Sequence, residues 1–148
     1  MTAVSLVGEA ELDELLPLMR GYSDFYEVTP TDEALLTLSR ALIADPQREG
    51  QQFLARDDGR AIGFATVYWL WSTTSATRIG LMNDLYVAPE GRGSGAAEAL
   101  IERCRAACRE RGAARLTWQT AKDNARAQAV YDRVGGVREE WLDYWLDA

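Results

Sequence analysis

Leu85-Tyr86-Val87-Ala88-Pro89-Glu90-Gly91-Arg92-Gly93-Ser94-Gly95-Ala96-Ala97 carries a strand-like run through a turn with three glycines and into a helical pattern. Such a turn presents backbone N–H groups at a helix start, where the dipole also favours negative charge, so it suits a pyrophosphate without many lysines. Glycine permits close backbone approach to the anion, and Arg92 adds a cation at the rim. A nucleoside-triphosphate loop requires Lys and then Ser or Thr after the last glycine, whereas Ala96-Ala97 stands there. A dinucleotide loop can be drawn formally as Gly91-x-Gly93-x-x-Ala96, but it opens a series of alternating units and places an acid about 20 residues on. The run Leu116 to Thr120 ends without one. A glycine-rich connection that binds nothing is the remaining alternative.

The sequence contains no histidine, which removes serine–histidine triads, histidine-bearing zinc sites and imidazole acid–base chemistry. Proton transfer must use carboxylate, tyrosine or water. Cys104 and Cys108 lie four residues apart in a helical stretch, a poor geometry for a disulfide, and read as buried core thiols. No metal site is expected. The formal net charge of −7 argues against a general grip on nucleic acid phosphates and would welcome a cationic substrate, although acidic surfaces also serve solubility.

The 148 residues are 47% apolar and 26% charged, which bounds the chain to one globular domain, 1–148, that must hold every ligand itself. No run of about 18 apolar residues marks a membrane span. Met1 to Gly8 lacks the basic start and apolar centre of a signal peptide, so a cytoplasmic location is expected.

The elements that must position the glycine turn follow from periodicity. Thr2 to Val7 suits a short strand. Leu12, Leu15, Leu16 and Met19 recur at helical spacing within Glu9 to Tyr22. Thr29-Pro30-Thr31-Asp32-Glu33 caps a second helix, with Leu35, Leu38 and Leu42 on one face, which runs from Asp32 to Ala44 before Asp45-Pro46 stops it. Gln51 to Arg56, the turn Asp57-Asp58-Gly59-Arg60, Ala61 to Ser72 and then Arg78 to Ala88 read as an antiparallel meander. Gly95 to Arg111 is helical and Arg115 to Gln119 is a short strand, a crossover that makes a parallel pair. Asp123 to Val134 gives a last helix before Gly135-Gly136, and Val137 to Leu146 is expected to close the chain as an aromatic-rich strand.

Arg92-x-x-Gly95-x-Ala97 resembles the acyl-CoA motif of the GNAT superfamily of N-acetyltransferases, Q/R-x-x-G-x-G/A. Asn124-x-x-Ala127-x-x-x-Tyr131, followed by Gly135, is similar to the helix that carries that family's general-acid tyrosine. The specific residues lie between Asn83 and Gly136, and the resemblance covers nearly the whole chain from Glu9 onward. One departure is visible: the family usually has an aromatic after the glycine that ends this helix, whereas Gly136 and Val137 follow Gly135 here. A change of packing rather than chemistry is expected from it. Asn83-Asp84-Leu85-Tyr86-Val87 and the run Tyr22 to Tyr26 look like the small-amine branch, with its spermidine/spermine and yeast-type histone and polyamine acetyltransferases. Those relatives commonly carry glutamate where this chain has Asn83, so their substrate-binding acid does not carry over to that position.

The resemblance implies a single-domain α/β (α+β) fold with a mixed sheet of about six to seven strands flanked by four helices. It also implies transfer of acetyl from acetyl-CoA, without a metal, to a primary amine of a small molecule, and a homodimer. By the family pattern Leu85, Tyr86 and Val87 offer main-chain groups to the pantetheine arm and acetyl oxygen. The turn Arg92, Gly93, Ser94, Gly95, Ala96 and Ala97 holds the pyrophosphate, Asn124 contacts the cofactor, and Tyr131 protonates the departing thiolate. Asp84 is the carboxylate nearest the reaction centre, either as base, as the end of a water chain, or as a structural acceptor. Tyr22, Asp24, Tyr26, Glu27, Trp69 and Asn83 are the expected acceptor contacts, and Phe25, Trp71, Trp141, Tyr144 and Trp145 are candidates beside them. A catalytically silent acyl-CoA-binding module is the alternative.

Overall fold

Alternation along the longest strand divides the protein into two packed layers. The computed structural model describes residues 2–148. In chain order it contains β1 (Thr2–Leu6), a 3-10 turn (Glu9–Glu11), α1 (Leu12–Phe25), α2 (Asp32–Ala44), β2 (Gly50–Asp57), β3 (Arg60–Ser72) and β4 (Thr77–Val87). A second 3-10 turn (Pro89–Gly91), α3 (Ala96–Glu110), β5 (Leu116–Thr117) and α4 (Ala125–Arg133) follow. Phe64 of β3 and Leu54 of β2 pack with Leu12, Leu15 and Met19 of α1. Ala65, Val67 and Trp69 turn the other way, onto Leu100, Ile101, Cys104 and Cys108 of α3. Residues two apart on a strand share a face, so Gln52, Thr66 and Tyr68 belong to the α1 side.

The sheet order is β1-β2-β3-β4-β5, antiparallel through β4, with β5 parallel to β4. Helix boundaries follow local chemistry: the Thr31 hydroxyl caps α2 by accepting the Ala34 N–H at 3.1 Å, and Asn124 caps α4 by accepting the Ala127 N–H at 3.2 Å. Cys104 and Cys108 are free and buried in the α3 layer, and burial pushes their thiols up to about 12 and about 11.

Two features of β4 shape what lies beside it. Thr66 pairs with Asp84 and Val67 with Met82, so Asn83 is an extra residue, a bulge that re-aims its neighbours. β5 pairs with β4 only at Gly80↔Leu116 and Leu81↔Thr117. Beyond Leu81, β4 continues to Val87 with no strand on its β5 side, and the two chain segments diverge into a cleft.

The sheet has five strands, not six to seven. Val137 to Leu146 is not a strand: residues 137–148 have no regular structure, and Val137, Trp141, Leu142, Tyr144, Trp145 and Leu146 are all at least 75% exposed. The sequence suits a strand, but a strand exists only by pairing, and no ladder reaches this segment. Its tie to the rest of the chain includes a hydrogen bond from Gln119 Nε2 to Asp143 Oδ1 at 2.7 Å. Among the described residues no helix is long and apolar enough to cross a membrane.

Candidate active site

The diverging strands enclose a cleft of about 1230 Å³ between β4, the start of α3 and the segment from Trp118 to Arg133. Arg92, Gly93, Gly95, Ala96 and Ala97 form one end. Gly95 is the N-cap of α3 at φ 84°, and Gly93 lies at φ 80°, conformations that L side chains rarely adopt. A Cβ at either position would meet nothing within 4 Å, so the backbone of the turn borders open space. Ser94 does not line the cleft; its hydroxyl donates to the Gly91 carbonyl at 2.6 Å and accepts the Ala96 N–H at 3.3 Å, which shapes the turn from inside. The first N–H groups of α3 have no partner within the helix. Arg92 and Arg126 add positive charge to the walls, whereas Arg133 is tied to Glu98 at 2.7 Å. Open backbone, helix N-terminus and arginines fit the pyrophosphate of acetyl-CoA.

Along the cleft, Leu85, Tyr86 and Val87 present the edge of β4 that β5 leaves unpaired. Asn124 and Tyr131 of α4 face it. The Tyr131 ring meets Trp118 edge-on with centroids 5.3 Å apart, and its hydroxyl bonds to Thr120. Burial, with Tyr26 nearby, raises the Tyr131 phenol above its ordinary value, so it keeps its proton at neutral pH. A Cβ on Gly136 would sit 3.0 Å from the Tyr131 carbonyl and 3.3 Å from Trp118, which accounts for the second glycine after the helix. Val137 points away at 90% exposure, and the ring beside Tyr131 comes from Trp118 instead.

At the other end Tyr22 and Phe25 of α1, with Tyr26 just after it, lie beside Asn83. The Tyr22 and Tyr26 rings lie 4.9 Å apart, and the Tyr22 hydroxyl lies 3.3 Å from the Asn83 carbonyl, its one proton shared between that oxygen and the Asp84 carboxylate. Behind these walls sits the half-buried Asp84 carboxylate. It accepts the Asn83 amide at 3.0 Å and is hydrogen-bonded by Thr66 and Tyr22. Burial raises its pKa, and the three hydrogen bonds oppose that rise. Desolvation, and secondly the Asp84 charge, drive the Tyr22 phenol far above its ordinary value and the Tyr68 phenol up to about 12.

The structure therefore brings Tyr22, Tyr26, Asn83, Tyr86, Asn124 and Tyr131 around one space, with Asp84 outside the wall and linked to it through Asn83 and Tyr22. It does not bring Trp69, Asp24 or Glu27 into the cleft wall. Strand alternation turns Trp69 to the α3 layer, where it is 5% exposed with its indole N–H on the Pro46 carbonyl at 2.9 Å. Asp24 and Glu27 are exposed at the end of α1 and the turn after it. Trp141, Tyr144 and Trp145 also lie outside the cleft. Sequence reasoning passed over Thr66 and Tyr68, which alternation with Phe64 places on the α1 face, and Trp118, Thr120 and Arg126, which flank the last helix. Among the described residues no group of three or more His, Cys, Asp or Glu is placed to hold a metal ion.

Known proteins agree with this geometry. The family model of the acetyltransferase (GNAT) family matches residues 15–136. The chain is 30% identical over 121 residues to the uncharacterized N-acetyltransferase YhfO of Bacillus subtilis, covering 82% of this chain and 80% of that one. It is also 30% identical over 118 residues to the D-amino-acid N-acetyltransferase HPA3 of Saccharomyces cerevisiae, covering 79% and 73%. A crystal structure of a probable acetyltransferase superposes with a TM-score of 0.86 at 29% identity, covering 99% of this chain and 97% of the other. With the cleft and both motifs in place, the chain belongs to the GNAT acetyltransferase family and is an acetyl-CoA-dependent N-acyltransferase.

Proposed function

We propose that residues 1–148 act as one cytoplasmic acetyltransferase domain that moves the acetyl group of acetyl-CoA directly to the primary amine of a small cationic molecule. The observation that carries this reading is a cleft with the protonated phenol of Tyr131 on one wall and Tyr22 and Asn83 on another, these last two leading back to the Asp84 carboxylate. Aminolysis of a thioester needs an amine stripped of a proton, a stabilised oxyanion and a protonated leaving thiol. The amine proton leaves by way of the Tyr22 hydroxyl or a water to Asp84. Main-chain N–H groups at the Leu85–Val87 edge hold the acetyl oxygen, and Tyr131 gives its phenolic proton to the departing sulfur. The ammonium first loses one proton to solvent; the second passes to Asp84 while Tyr131 gives one to the sulfur, and return of the Asp84 proton to the Tyr131 phenolate through water resets both groups without a covalent enzyme intermediate.

Tyr22, Phe25 and Tyr26 offer ring faces to an ammonium, with Asn83 as a neutral polar contact. This arrangement supports membership of the small-amine branch, with polyamines and amino acids as acceptors; the yeast relative is itself a D-amino-acid N-acetyltransferase. Release of free CoA thiol from acetyl-CoA, measured across a panel of polyamines, amino acids and aminoglycosides, is expected to be amine-dependent. Tight CoA binding with no release on any amine would replace this reading with a silent acyl-CoA-binding module.

The homodimer has a separate support. Six large apolar side chains exposed between Val137 and Leu146 exceed the scattered exposure ordinary for a monomer. β5 leaves a free edge beside them, and a second copy of the same segment is the proposed cover. Light scattering on the whole chain is expected to give a dimer mass, and a Trp141→Ser, Trp145→Ser double variant is expected to move it toward the monomer. A monomeric wild-type chain at high concentration sinks the dimer.

A further inference from the structure

Among the described residues no cation acts on the Asp84 carboxylate. The groups that act on it are Thr66, Tyr22 and Asn83, all neutral, and the Tyr68 phenol lies close enough to feel its charge. Tyr26 stands beyond Tyr22 in the same cluster. No lysine or arginine is among the groups acting on it. A carboxylate so placed depends on hydrogen-bond donors to carry charge. Tyr22 and Asn83 reach it from the cleft side. Thr66 reaches it from within the sheet, where it is fully buried as Asp84's partner across the β3–β4 ladder.

A threonine hydroxyl has one proton and can spend it in several directions. Here its choice is restricted. Gln52, 2% exposed on the adjacent strand β2, donates its Nε2–H to Thr66 Oγ1 at 3.1 Å. With one lone pair engaged by the amide, the hydroxyl proton is free for the carboxylate on its other side. Stability alone accounts poorly for a glutamine here. Its Oε1 finds no hydrogen-bond donor among the described residues, and a buried polar atom left unsatisfied is costly.

We propose that Gln52 and Thr66 are positioning residues for the reaction: the Gln52 amide orients the Thr66 hydroxyl toward Asp84, and that oriented donor lets the carboxylate serve as the proton acceptor. The role rests on the reading of Asp84 given above. Neither residue touches the cleft; both act from the sheet layer behind it. Loss of the Thr66 donor leaves burial less opposed, so Asp84 holds its proton to higher pH.

The experiment follows the Asp84 carboxyl directly. Protein carrying 13C-carboxyl aspartate is titrated by NMR, with the Asp84 signal assigned by its disappearance in Asp84→Asn, and kcat/KM is measured against pH on the same samples. Thr66→Val, nearly isosteric, is expected to move the Asp84 midpoint and the acidic limb of the rate profile upward together by about one pH unit. That is a roughly tenfold loss of rate at a fixed pH below the midpoint and little loss above it. Thr66→Ser is expected to restore both, and Gln52→Leu to shift them the same way by less. CoA affinity and melting temperature establish that the variants fold, and Gln52→Leu carries the test alone if Thr66→Val does not. An unmoved Asp84 midpoint in the folded variants overturns the inference even when Asp84→Asn abolishes the acidic limb. An acidic limb that survives in Asp84→Asn instead overturns the acceptor reading on which the inference rests.

Discussion

Tyr131→Phe is expected to lower kcat by about 10²- to 10⁴-fold, the range ordinary for loss of a positioned general acid, while CoA affinity stays within about twofold. The two halves of this expectation come from different parts of the side chain. The ring packs edge-on against Trp118 and shares its surroundings with Val130 and Val134, contacts that phenylalanine keeps. The hydroxyl faces the cleft between Thr120 and Tyr26. Burial holds its pKa above 10.0, so the group is a proton donor across the whole neutral range rather than a nucleophile. An interaction used only as the thiol departs should lower kcat and kcat/KM together, without raising KM. Isothermal titration with CoA beside steady-state rates decides the matter. A variant with wild-type turnover would make Tyr131 a packing residue and leave the departing sulfur to take its proton from water.

The geometry of the turn and helix proposed to hold the cofactor was legible in the sequence because it is local. A strand, three alternating glycines and a helix start are consecutive residues, and the structure sets Gly93 and Gly95 at positive φ where the turn needs them. Asn124 and Tyr131 lie seven residues apart on one helical segment, so their shared face follows from its geometry. The acceptor half was less legible because strands from different parts of the chain build it. Trp69 is a large aromatic in the right hairpin, yet its parity puts it under α3, and the same alternation gives the α1 layer, behind the cleft wall, Thr66 and Tyr68. The bulge at Asn83 is a property of the β3–β4 pairing and not of either strand alone. Val137 to Leu146 shows the limit most plainly: its composition is that of a strand, but composition supplies only half of a ladder, and no strand among the described residues supplies the other half.

Asp84→Asn is expected to cut kcat/KM by about 10²- to 10⁴-fold and, in the same protein, to raise the melting temperature at neutral pH. The opposite signs follow from one cause. Burial lifts the folded-state pKa of Asp84 above the ordinary carboxyl value of 3.8 despite hydrogen bonds from Thr66, Tyr22 and Asn83. Between 3.8 and that raised value the folded chain binds more protons than the unfolded one, so stability falls as pH rises through the window. Above the folded pKa the loss is complete and constant; below 3.8 both states are protonated and there is none. Asparagine removes the charge and with it the loss. It keeps an oxygen for the Asn83 amide and offers an N–H to the Thr66 and Tyr22 hydroxyls, which can turn to accept it. The stabilisation should therefore appear at neutral pH and fade as the solution is acidified toward 3.8, the same direction in which the wild-type chain is expected to lose activity if Asp84 is the proton acceptor. Thermal melts and rates across this range separate the possibilities. A carboxylate that serves as a structural acceptor would give the reverse pattern, a less stable variant with near-normal turnover.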